Sequence, residues 1–246
     1  MKRFALRALA LLMVLLLAAC GQSAPARQPE APSEPESQSL PQQQQAPAAD
    51  PGRPDLTLQT ACYWNDFVVE IPLVVGADTE TTRQMNQDFA ALAEEFAGWD
   101  VETSQSWLEW NSRLYPSSDY LQVVLTRMEY PNYGCDVQQV LTWCYDVRAD
   151  RMVELEEALE RVGLTAQSAR ELFLQQAAEG QEQRLANLTE LQLAGFRITG
   201  DGTADFYWLA TSQPEGAEPW VSLYTMHCGD GWCALTHYRD DDSLRR

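Results

Sequence analysis

Two cysteines and two histidines crowd the end of the chain, in "MHCGDGWCALTHY", residues 226–238. Three chemistries suit them. A Gly-Asp-Gly turn folds its flanking strands back on each other and brings Cys228 and Cys233 together, and a disulfide needs their Cα atoms within about 7 Å. The same cysteines with His227 and His237 make a C-x4-C-x3-H pattern of zinc-binding residue types, although structural zinc prefers tighter ligand pairs. His227 beside Cys228 also has the composition of an activated thiol. A second disulfide candidate joins Cys135 to Cys144 across an earlier hairpin. The sequence contains no G-x-S-x-G, H-E-x-x-H or P-loop. Carboxylates are so numerous that any two look paired. The reading is a protein without catalytic residues, metal or cofactor. The alternative is an envelope enzyme that uses carboxylates or the His227/Cys228 neighbourhood.

The cysteines matter because of where the chain is expected to go. Residues 1–19 open with Lys2, Arg3 and Arg7 and continue as an apolar run from Ala8 to Ala19. Such a run is too short for a bilayer span of ~20 residues and has the form of a signal peptide. It ends in Leu17-Ala18-Ala19-Cys20, which resembles the bacterial lipobox. That resemblance implies cleavage before Cys20 and acylation of it, with two or three chains holding the protein at the extracytoplasmic face of the membrane. Outside the cytoplasm disulfides persist. Beyond Cys20 there are five cysteines, Cys62, Cys135, Cys144, Cys228 and Cys233, so at least one stays unpaired.

Residues 20–57 are rich in Gln, Pro, Ala, Ser and Glu and have no aromatic side chain. They cannot bury enough surface to offset chain entropy and read as a tether. Apolar and aromatic residues gather after it, enough for one α+β domain over 58–239, with 240–246 a polar tail.

The whole chain carries a net charge of −19, and Lys2 is its only lysine. Without the signal, 14 arginines face 36 carboxylates, a balance of about −22. That excludes nucleic acid, whose binding depends on neutralising phosphate. It favours a cationic partner, with a strong dependence on salt. Trp107, Trp110 and Tyr115 in "SWLEWNSRLYP", with Tyr133, are candidate contacts for a cell-wall glycan or a protein, and core packing is the competing explanation.

The elements that must position these groups follow from periodicity. Residues 61–74 read as a strand pair or a long bent strand. Thr79 to Gly98 has a capping start and Met85, Phe89, Leu92, Ala93 and Phe96 at helical spacing. Strands are expected at 119–130 and 137–147, joined by "PNYGCD", then a turn at "RADRM" and helices at 153–162 and 165–178. Strands at 191–198, 203–210, 220–226 and 232–238 complete the chain. Helices in the middle and hairpins on either side indicate an α+β fold of antiparallel sheets with a few packed helices.

The order of these pieces has a precedent. "FVVEIPLVVGADTETTRQMNQDF" (67–89), with its central Asn86, resembles the start of the extracytoplasmic domain of the RsiV anti-sigma factor and the PdaC peptidoglycan deacetylase. "SSDYLQVVLTRMEYPNYGCDVQQVLTWCYDVRADRMVELEEAL" (117–159) and "FRITGDGTADFYWL" (196–209) are similar to its second unit and late hairpin. The family's Gly-Gly-Ala-His loop is here Tyr133-Gly134-Cys135-Asp136, so the role of that histidine does not carry over. A lipobox replaces the span, so no sigma factor is expected as a partner, and no deacetylase domain follows. The resemblance implies a sensing or binding domain alone. In the anti-sigma branch that domain binds lysozyme, a basic protein.

Overall fold

A computed structural model describes residues 53–64, 67–98, 106–131, 136–179 and 185–238. For residues 61–64, 67–69, 106–108, 130–131 and 136–138 only the backbone is described. The chain divides into two units, Met1–Gln45 and Ala46–Arg246, and every described residue belongs to the second. The expected signal peptide, Cys20, most of the tether and the 240–246 tail lie outside the described residues, as do Tyr133 and Cys135.

Ten strands and three helices are described, and every strand pair is antiparallel, the α+β arrangement expected. The first hairpin is β1 (Asp55–Trp64) with β2 (Phe67–Val75). It starts within the stretch assigned to the tether, because Leu56 is drawn into the core. Helix α1 (Glu80–Ala97) begins with a reciprocal cap between Thr79 and Thr82. Its Met85, Phe89 and Phe96 are buried, as the spacing requires.

A central sheet follows in the order β3 (Ser106–Pro116), β4 (Tyr120–Pro131), β5 (Asp136–Asp146) and β6 (Arg151–Met152). Two of these strands are not assigned in the sequence reading. "SWLEWNSRLYP", given no element there, is a full edge strand, and part of the "RADRM" turn forms β6. Helices α2 (Leu155–Arg161) and α3 (Ala166–Glu179) come next. The last sheet has the order β10-β9-β8-β7, built from β7 (Leu188–Gly200), β8 (Thr203–Ser212), β9 (Trp220–Gly229) and β10 (Trp232–His237).

Three apolar clusters stack these layers. Leu121, Val123 and Tyr145 on one face of the central sheet meet α1 and the first hairpin. Val124 and Val140, on its other face, meet Tyr207, Leu209 and Leu223 of the last sheet. The far face of that sheet, with Phe206, Trp208 and Tyr224, is covered by Leu159, Ala169 and Phe173 of α2 and α3.

Side chains also close strand edges. Asn86 of α1 accepts the N–H of Val74 at 2.8 Å and donates to its carbonyl at 2.9 Å. Gln122 of β4 does the same for Ile198 of β7, at 2.7 and 2.8 Å. Beside it the Thr142 hydroxyl accepts the N–H of Phe196 at 3.2 Å. The neighbouring position must be glycine: a Cβ at Gly195 would sit 2.5 Å from that hydroxyl oxygen.

Candidate functional site

The turn between β9 and β10 is Asp230-Gly231, with both residues at positive φ (43° and 80°). That is the two-residue loop whose twist suits a hairpin. It sets Cys228 opposite Cys233 in the register, with Cα atoms 4.2 Å apart, and the two form a disulfide. The leading cysteine pairing therefore stands.

The alternatives built on this region do not survive. Both sulfurs are used, so Cys228 is not a thiol nucleophile for His227. Successive side chains in a strand point to opposite faces, and the register separates the histidines. His227 lies opposite Asp205 on the face toward the central sheet. His237 lies opposite Tyr224, buried on the helix side with its ring 5.1 Å from the Tyr224 ring. The zinc cluster of Cys228, Cys233, His227 and His237 is therefore ruled out by register and bonding. Among the described residues no group of three or more His, Cys, Asp or Glu is placed to hold a metal.

The Cys135–Cys144 alternative fails for a different reason. Cys144 is a free, buried cysteine. One continuous strand runs from Asp136, the residue after Cys135, to Cys144 and beyond. At ~3.3 Å per residue that separates Asp136 from Cys144 by roughly 26 Å, while Cys135 itself lies outside the described residues. Burial is the main force lifting the Cys144 thiol, from 9.0 to about 12.

Between the two larger sheets a polar row crosses three strands. Arg197, Asp205 and His227 are cross-strand neighbours on β7, β8 and β9. Arg197 donates to Asp205 Oδ2 through Nε at 3.1 Å and also through Nη2. His227 Nδ1 lies 2.7 Å from Asp205 Oδ1. Asp205 is 3 % exposed. Burial pushes its carboxyl up, but the His227 hydrogen bond and the charge and hydrogen bonds of Arg197 outweigh this and hold it below the usual carboxylate range. Burial likewise works against the charge of Arg197, and Tyr207 and Asp205 more than restore it. The Arg197 guanidinium lies 4.0 Å from the centroid of the Tyr115 ring. An imidazole fixed by a buried carboxylate is oriented through one nitrogen, yet here the carboxylate also binds a buried arginine. The row fastens three strands and β3 together.

A second feature is a half-open groove of about 340 Å³ between β5 and β7. Arg127, Gln139 and Gln192 supply polar groups to it, and Val140, Leu141, Ala194 and Leu209 supply its apolar surface. Its volume is at the lower end of the range for ligand sites. Arg127 is held in place by Glu95 at 2.8 Å and by the Trp110 ring, whose centroid is 5.8 Å away.

Of the four aromatic candidates, the two whose side chains are described, Trp110 and Tyr115, are not brought together. Trp110 packs edge-on against Phe96 of α1, with centroids 6.1 Å apart. Tyr115 is on the opposite face of β3, under Arg197. Trp107 pairs with Tyr130 in the backbone register, its side chain outside the described residues. The sequence reading missed Arg197, Asp205 and Gln122, and the groove residues Gln139 and Gln192.

Charge is distributed unevenly between structure and surface. Arg83, Arg127, Arg148, Arg151 and Arg161 each bind a carboxylate, as Arg197 does. Glu80, Glu156, Glu160, Glu171, Asp201 and Asp230 face solvent. No protein-family model matches the chain, and no curated protein is detectably similar to it.

Proposed function

We propose that this chain is a lipid-anchored protein of the extracytoplasmic membrane face whose α+β domain binds a cationic protein of the cell envelope, lysozyme being the type. The observation that carries the reading is the fate of the positive charge. Six of the nine described arginines are engaged with carboxylates, while many acidic side chains lie on the surface of a chain with 36 of them. A basic partner is steered toward such a surface. A binding role is further supported by the histidine and cysteine chemistry near the C-terminus, which is committed to packing, the Asp205 contact and the disulfide. Among the described residues no helix is long and apolar enough to cross a membrane, so in this reading the anchor is the acylated Cys20.

The test is calorimetric titration of residues 20–246, carrying Cys20→Ser, with hen-type lysozyme at low and at physiological salt. Stoichiometric binding that persists at physiological salt is expected. Heat that disappears with added salt, or no heat at all, overturns the reading and leaves the acidity as a determinant of solubility.

A further inference from the structure

The groove between β5 and β7 is bordered by two strand edges, and their backbone direction can be read from the side chains. In a strand, side-chain face and backbone N–H direction alternate together. Phe196 and Ile198 of β7 place their side chains in the helix-side core, and their backbone groups point off the sheet, where Thr142 and Gln122 take them. Leu191 and Leu193 also pack against that core. A bulge between Leu193 and Gly195 keeps them there. Their N–H and C=O groups therefore continue the same outer edge, toward Gln192 and Ala194 in the groove.

The facing edge belongs to β5. β6 pairs with it only at Tyr145 and Asp146. The Cys144 carbonyl accepts the N–H of Val153 at 2.8 Å, which fixes the outward direction at Cys144. By alternation Thr142 and Val140 also point outward, and Val140 lines the groove. Gln139 and Gln192 stand at its sides, with carboxamides that donate and accept as a peptide does.

We propose that this groove takes an extended polypeptide segment, which adds as a strand to the β7 edge next to Leu191 and Leu193 and faces Val140 of β5. The edge already accepts pairing inside the molecule. Gln122 and Thr142 occupy Phe196 and Ile198 where a neighbouring strand would, and the groove is the next stretch of the same edge. Main-chain pairing provides affinity in such sites, and alternate side chains reach the lining. The inference rests on the reading of the domain as a protein-binding module, but it does not require the partner to be cationic.

The experiment follows amide hydrogen exchange in residues 20–246 with Cys20→Ser. The probes are two capped heptapeptides, TVTVTVT and RVTVTVR, each compared with a form N-methylated at every residue. At millimolar concentration the unmethylated peptides are expected to slow exchange at Leu191 and Leu193 roughly tenfold, because a paired amide exchanges only when the pairing opens. The methylated forms should leave these amides unchanged. Ala194→Trp, which fills the groove, should abolish the effect. If that variant does not fold, the methylated comparison in the parent chain decides alone. Equal protection by methylated peptides overturns the proposal, as does no protection by either peptide. So does a chitin trisaccharide that protects these amides when the peptides do not. Lysozyme enters none of these arms, so failure of the cationic-partner reading and failure of the groove are separate results.

Discussion

Gln122 and Ile198, 76 positions apart, are joined by a side-chain amide that pairs with a backbone in both directions, at 2.8 and 2.7 Å. The pair is fully buried and ties β4 of the central sheet to the edge of the last sheet. Removing the amide leaves a buried N–H and a buried C=O without partners, at about 1–3 kcal/mol for each such group. Gln122→Ala is expected to lower the unfolding free energy by roughly 2–4 kcal/mol, read as a reduced urea midpoint with an unchanged slope. A loss below about 1 kcal/mol would show that water or a shifted neighbour replaces the amide.

The disulfide closes a short loop, with a sequence separation of 5. Loop entropy for a ring of that size gives about 2 kcal/mol. Cys228→Ser with Cys233→Ser should therefore lower stability by about 2 kcal/mol and leave the fold intact, because the Asp230-Gly231 turn sets the register by itself. Far-ultraviolet circular dichroism should be unchanged while the thermal midpoint falls. Loss of the dichroism spectrum would mean that the bond, not the turn, specifies the hairpin.

Acid should loosen the row of Arg197, Asp205 and His227. The Asp205 carboxyl is held below its ordinary value in the folded chain, so the unfolded chain binds the proton first. The stability this provides is complete above the ordinary carboxylate value near ~4 and is lost as pH falls through the folded value. Asp205→Asn is expected to be less stable at pH 7 and to lose less stability between pH 5 and 2. Parallel urea curves for the two proteins across that range would contradict the assignment.

Cys144 should not react in the folded protein. Its thiol is buried and raised to about 12, so almost no thiolate exists at pH 8. Iodoacetamide followed by peptide mass spectrometry should find Cys144 unmodified until denaturant is added, and then labelled at the rate of a free cysteine. Labelling under native conditions would place it nearer the surface than described.

Much of the fold was legible wherever one face of an element meets water. Thr79 and Gly98 bound α1 as the capping pattern indicated, and the "PNYGCD" segment separates β4 from β5. The failures have physical causes. β3 has Trp110 against α1 on one face and Tyr115 under Arg197 on the other. With both faces occupied, it lacks the polar and apolar alternation that marks a half-exposed strand. β6 is two residues long, too short for any period. The polar row shows how register hides a site. The Gly-Asp-Gly logic that paired Cys228 with Cys233 applies equally to Asp201-Gly202, but counting back from Gly200 and Thr203 would oppose Asp205 to Ile198. The structure opposes it to Arg197, because an irregularity between Ile198 and Gly200 inserts one residue and moves each side chain to the other face. The groove was beyond reach, since it depends on two edges from separate sheets.

The placement of arginine has a consequence for resistance to proteolysis. Among the described residues from β1 to β10, Arg148 alone lies outside a strand or helix, in the turn at 147–150, with a side chain 79 % exposed. Proteases that cut after basic residues need several residues of pliable chain around the bond, and beyond Lys2 the sequence offers them no lysine. Between β1 and β10 a trypsin-like enzyme meets the described residues at one bond outside a strand or helix, after Arg148. A nick there would separate β5 from β6 while the disulfide hairpin stayed whole. Such economy with basic residues makes the described part of the domain durable, and a cut after Arg148 should leave two pieces that remain associated until denatured.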